Sequence, residues 1–170
     1  MVRKLAIGGL VAFFVVTAVL VLMIAGARGR GDEGPAQPIA FNHKIHAGDL
    51  GLECTHCHRH AAESSRPGIP SVSLCMECHE TAAVDRPEVR KLREHWERRE
   101  PIEWARVHRL PWHVGFTHKP HVRAGVECTQ CHGEVQVETR IRQVRSLKMG
   151  WCVSCHRSRG AGTDCWVCHK

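Results

Sequence analysis

The chain has 170 residues, room for one modest domain behind an N-terminal segment, and holds no Tyr and only 4 Phe against 10 Cys and 14 His. A membrane segment takes 9 of the 28 Leu and Val, and groups other than aliphatic side chains are expected to fill the interior. The net charge of +7 and pI near 9.1 would suit an anionic partner, but no nucleic-acid-binding motif accompanies them, and that class is excluded.

Residues 5–27 carry no charge. A spanning helix needs roughly 20 apolar residues and a signal-peptide core only roughly 7–15, so the length predicts a retained transmembrane anchor over 1–28. Ala25, Gly26 and Ala27 form a small-residue stretch that keeps a cleaved signal open as the rival reading. Arg3 and Lys4 precede the span, and Arg28 and Arg30 follow it beside Asp32 and Glu33, so charge alone leaves the orientation undecided. Residues 29–40 read as a Gly- and Pro-rich linker.

The remainder, 41–170, is dominated by C-x-x-C-H, which occurs five times: Cys54, Cys57 and His58; Cys75, Cys78 and His79; Cys128, Cys131 and His132; Cys152, Cys155 and His156; and Cys165, Cys168 and His169. This is the signature of covalent c-type haem. Two thiols three positions apart reach the two vinyl groups of one porphyrin, and the adjacent His supplies the proximal nitrogen to iron. Zinc would pair C-x-x-C units into four-ligand sites, yet the units are five and each carries a following His that neither zinc nor disulfides need. All ten Cys are used. The reading is therefore five c-type haems with proximal ligands His58, His79, His132, His156 and His169.

The order along the chain is a tandem repeat. Phe41, His43 and His46 precede the first motif, and Phe116, His118 and His121 precede the third. Both stretches then run through Gly, Leu or Val, and Glu into the first Cys. Each half adds a second motif, and the fifth follows as an extension. The expected divisions are a module at 41–80, a connecting helix and linker at 81–115, a second module at 116–157 and the fifth haem at 158–170.

Haem iron takes a sixth ligand, and two His at i and i+3 share one face of a helical turn, from which they can address two irons. His43, His46, His118 and His121 are therefore the expected distal ligands. His56, His60, His95, His108 and His113 remain outside the proximal positions. His108, in the segment joining the modules, is the first choice for the fifth distal ligand, with Met149 as the alternative. A Met ligand would raise that haem's potential. His95 lies in a charged helix over about 86–99, with Asp85 and Glu88 as a capping box and Val89, Leu92 and Trp96 as its apolar stripe, and reads as structural.

Haem also resolves the charge. Setting aside Arg3 and Lys4 leaves 22 basic against 17 acidic residues. Five ferric haems with two propionates each bring roughly −5, so the loaded domain is near neutral. Covalent attachment of this kind takes place outside the cytoplasm, which puts the N-terminus inside and 28–170 outside. The fold class expected is mainly irregular with short α-helices, a class III-like multihaem domain after one N-terminal transmembrane helix. Trp96, Trp104, Trp112, Trp151 and Trp166 are expected to pack on haem edges, and Gly68 to Pro70 and Leu110 with Pro111 mark turns.

The stretches 37–58, 68–79, 101–111 leading into 116–122, and 147–157 resemble the pentahaem cytochrome subunit of alternative complex III, a quinol-oxidising respiratory complex within the broader class III, cytochrome c3/c7-like group. The resemblance implies a non-catalytic subunit of the bacterial inner membrane, with its haem domain on the periplasmic side, relaying electrons to a periplasmic cytochrome or oxidase. It implies as partners polytopic membrane subunits, an iron–sulfur subunit and a monohaem cytochrome c or terminal oxidase. The alternatives are an autonomous anchored multihaem quinol dehydrogenase or reductase, which needs an open iron or a quinol pocket, and a periplasmic electron carrier, which needs cleavage after Ala27.

Overall fold

The computed structural model describes residues 2–30 and 34–169, with side chains described at 7–26 and 34–169. Residues 31–33 of the expected linker, and the side chains of Arg3, Lys4, Ala27, Arg28 and Arg30, lie outside the described residues. The chain forms two units, Met1–Gly34 and Pro35–Lys170.

The first unit is one helix, α1 (Val2–Arg30). Its apolar stretch Ile7–Gly26 has 20 residues, about 30 Å at about 1.5 Å per residue, the thickness of a bilayer's hydrocarbon core. Its large side chains face outward all round, from Val19 at 49% exposed to Leu22 at 71%. Such a helix has no preferred face and suits a uniform apolar surrounding. The Thr17 hydroxyl donates to the Phe13 carbonyl one turn back at 2.8 Å, so that polar group needs no water.

The second unit has no strand among the described residues. It consists of short helices joined by irregular chain: a π-helical turn at Lys44–Asp49, α2 (Cys54–Cys57), α3 (Val72–His79), α4 (Pro87–Arg98), α5 (His118–Arg123), α6 (Cys128–His132), a 3-10 turn at Val135–Val137, α7 (Met149–Ser158) and α8 (Cys165–Cys168). The helical turns lie on the C-x-x-C-H motifs themselves. The chemistry explains this, since one turn of helix is what brings two thiols at i and i+3 to one face.

The longest helix of this unit, α4, starts later than the capping-box pattern implied. Pro87 takes the first helical position, where a missing N–H costs nothing, and Arg86 is the N-cap without a side-chain bond. Glu88 does not cap the helix. Its carboxylate accepts from the Ala40 amide at 2.6 Å and from Lys91 at 2.7 Å, which hold it below the usual carboxylate range. Arg99, left-handed at φ 54°, closes the C-terminus.

The protein part of the core is small. Ile39, Met76 and Leu92 form it, with Val72, Cys75, Ile102 and Trp104 packed around them. Val89 and Leu92 of the expected α4 stripe are buried, while Trp96 is 43% exposed. Gln37 binds the stretch at 102–105 to this core through both ends of its amide, donating to the Ala105 carbonyl and accepting from the Ala105 amide. Beyond Leu92 no described side chain is buried. A unit of this length ordinarily removes most of its apolar surface from water, so its side chains alone leave the interior unfilled.

Candidate haem-binding sites

The motifs are of two builds. At the first, third and fifth the residue before the first Cys is extended, as at Glu53 (ψ 144°), Glu127 (ψ 140°) and Asp164 (ψ 147°), and the helix then begins at the thiol, whereas Cys75 and Cys152 lie inside α3 and α7. In the first and fifth motifs the amide of the proximal His returns to the carbonyl of the first Cys, His58 to Cys54 and His169 to Cys165, both at 2.9 Å. All ten cysteines are free. Among the described residues no group of three or more His, Cys, Asp and Glu is placed to hold a bare metal ion.

Six of the imidazoles are fixed in one tautomer by their surroundings, whereas the buried Nδ1 of His43 has no partner. His58 donates from Nδ1 to the Gly68 carbonyl (2.7 Å), His79 to Ala82 (3.0 Å) and His156 to Gly162 (2.7 Å). His46 donates to Asn42 (2.9 Å) and His121 to Thr117 (2.8 Å), each four residues back, while His118 donates to Ser65 (2.9 Å). A proton held on Nδ1 leaves Nε2 bare for a metal, the usual arrangement behind a ligating His.

The rings come in opposed pairs. His46 and His79 have centroids 6.0 Å apart, His118 and His132 6.3 Å, and His121 and His156 5.9 Å. Two imidazoles on opposite sides of one iron, each bound at about 2 Å, have centroids about 6 Å apart. His43 has His58 as an electrostatic neighbour, the counterpart of His118 beside His132. In each half the first His of F-x-H-x-x-H therefore goes with the first motif and the second His with the second.

The Phe of that pattern is what separates the two rings. Phe41 lies edge-on to His43 at 4.8 Å (84°) and stacks on His46 at 4.4 Å (24°). Phe116 repeats this, at 84° to His118 and 35° to His121. The approach to the first Cys is repeated too. Gly51 and Gly125 both take left-handed φ, 68° and 69°, which favours glycine. The next amides, Leu52 and Val126, then return to the His46 and His121 carbonyls at 3.0 Å each.

The remaining candidates are placed less uniformly. His108 stands edge-on to His132, centroids 4.4 Å apart, with its Nε2 3.3 Å from His132 Nδ1. Met149 opens α7 and is 65% exposed. His113, which the sequence did not single out, stacks on His169 at 5.5 Å and 20°. His56 is exposed, and exposed His60 lies 3.9 Å from Glu63. His95 has a buried Nδ1 without a partner. Trp112 and Trp166 are 93% and 75% exposed, and Trp104 packs edge-on to Phe41.

Burial, with neighbouring imidazoles, holds His43 and His132 neutral down to about pH 4, the form that binds iron. Burial also raises the thiols, and the secondary causes place the motifs in space. Cys75 has Cys57 as its neighbour, Cys128 has Cys54, Cys131 has Cys155 and Cys152, and Cys152 has Cys168. Paired thiols on single turns, opposed imidazoles at one spacing and an interior short of side chains together fit porphyrin groups.

Comparison with known proteins accords with this chemistry. The class III cytochrome c family matches residues 25–110, and the family of cytochrome c7 and related cytochromes c matches 114–170. The chain is 28% identical over 200 aligned positions to the multihaem cytochrome c subunit of menaquinone reductase from Nitratidesulfovibrio vulgaris, covering 99% of this chain and 93% of the relative.

Proposed function

The chain belongs to the class III cytochrome c family, and from that premise we propose that it is the electron-transfer subunit of a membrane complex that exchanges electrons with the quinone pool. Five covalent haems, α1 in the inner membrane and the second unit on the periplasmic side complete the reading. Bound haem iron supplies reversible one-electron carriage. The protein's own residues attach each group through two thiols, present one His from the motif and set Nδ1 so that Nε2 faces the metal.

The observation that carries the reading is the order in which the motifs neighbour one another. The second lies near the first through Cys75 and Cys57, the first near the third through Cys54 and Cys128, the third near the fourth through Cys131, and the fourth near the fifth through Cys152. This supports a path in the order second, first, third, fourth, fifth. His43, His46, His118 and His121 are its distal ligands at the first four sites. Saturated irons suit relay and leave substrate turnover to partner subunits.

The sequence stretches favour alternative complex III, with quinol as donor and a monohaem cytochrome c or oxidase downstream. The relative is named for menaquinone reduction, which favours a second reading, the same path run toward quinone. Purification in mild detergent, with mass spectrometry of the subunits recovered, tests the complex. Stoichiometric polytopic and iron–sulfur subunits are expected; recovery of the chain alone would overturn the reading in favour of an autonomous dehydrogenase or carrier. Haem reduction by added quinol, against quinone reduction by pre-reduced haem, then decides the direction.

A further inference from the structure

Three side chains compete for the sixth position on the fifth iron: His108, Met149 and His113. We propose that His113 is that ligand, and that His108 is a positioning residue behind His132. The assignment rests on covalent haem at the fifth motif.

The first ground is ring geometry. The planes of His113 and His169 lie within 20° of parallel, with centroids 5.5 Å apart, near the 5.9 to 6.3 Å of the three other opposed pairs. The second ground is backbone. Val114 and His169 form an antiparallel bridge, and the Gly115 amide donates to the Cys168 carbonyl at 2.7 Å. The two residues after His113 are thus held to Cys168 and His169, and Trp112 lies edge-on at 5.6 Å from His113. Pro111 begins the turn, its carbonyl accepting from the Val114 amide at 3.0 Å.

The third ground removes His108. Once His132 gives Nε2 to iron, its Nδ1 carries the proton and donates it. The acceptor is His108 Nε2 at 3.3 Å, where six other imidazoles use a backbone carbonyl. The lone pair His108 would need for iron is spent there. A centroid separation of 4.4 Å also leaves no room for a porphyrin between these two rings. Met149 stands 65% exposed at the start of α7, and no ring or backbone pairing like that of His113 with His169 is seen for it among the described residues.

The experiment uses the full membrane-anchored chain in its complex. His113→Ala should leave five haems by mass and convert one of five from low-spin to high-spin in electron paramagnetic resonance. That haem should then bind carbon monoxide, and added imidazole should return it to low spin. His108→Ala should keep all five low-spin and raise one haem's potential, since a ligand that loses its acceptor is less basic, and His108→Gln should restore the potential. Five low-spin haems in His113→Ala, or a new high-spin haem in His108→Ala or Met149→Leu, would overturn the assignment. If His113→Ala is not recovered, His113→Met substitutes. A raised potential at one low-spin haem supports the site, and an unchanged titration overturns it. Fewer than five haems in the unmutated protein would instead reject the fifth haem itself.

Discussion

The two halves of the haem-bearing unit repeat each other in ligand geometry and differ in what holds them together. Phe41 and Phe116, Gly51 and Gly125, and His46 and His121 make matching contacts. Yet among the described residues every buried side chain, Ile39, Ala61, Met76, Val89 and Leu92, lies before the second module, in the first module and the segments flanking it. The second half has the motifs without a side-chain core. A site's chemistry and its stability are thus separable: the repeat carries the first, and α4 with its neighbours adds the second where it is present.

The largest test of this contrast is to delete one haem from each half. Cys152→Ser with Cys155→Ser should open most of 116–169 to hydrogen exchange. Cys75→Ser with Cys78→Ser should leave the packing of α4 protected. Equal loss in both would show that the small core contributes nothing on its own.

Next comes the core itself. Leu92→Ala should cost about 2–5 kcal/mol in chemical unfolding, whereas Val137→Ala, at an exposed second-half position, should stay within about 0.5 kcal/mol. A similar cost at both would place a hidden core in the second half. A smaller effect is expected at the seam. A Cβ on Gly48 would run into the Gln136 carbonyl, where the π-helical turn meets the 3-10 turn. Gly48→Ala should therefore cost about 1–3 kcal/mol by the same measurement. A neutral result would mean the two turns separate freely.

The smallest contrast is with pH, where the halves should agree. His43 in the first half and His132 in the second are both held to about pH 4 by burial. The unfolded chain binds these protons at about pH 6.5, so stability should fall as pH drops from about 6.5 to about 4 and level off below. Denaturant midpoints across that range check this; a flat profile would show that neither ring is buried in solution.

Local pattern was legible in the sequence. The C-x-x-C-H and F-x-H-x-x-H spacings stand out there, and so does the apolar stripe from which Val89 and Leu92 are buried. What the sequence hid was tertiary. The role of Phe41 and Phe116 appears only once ring angles are known. Glu88 resembled a cap because the Ala40 amide, 48 positions away, is invisible to local pattern. His113 carried no motif, since what singles it out is the pairing of 114–115 with the end of the chain.

That pairing also bears on how the protein is made. The opposed rings lie 33 residues apart for His46 and His79, 14 for His118 and His132, and 35 for His121 and His156. His113 and His169 lie 56 apart, and each doubling of a loop adds about 0.6 kcal/mol to closing it. Because export delivers the chain from its N-terminus, this loop is both the costliest to close and the last whose two ends are present. Pairing of Val114 with His169 is therefore a late event, and the connector stays untethered on that side until it forms.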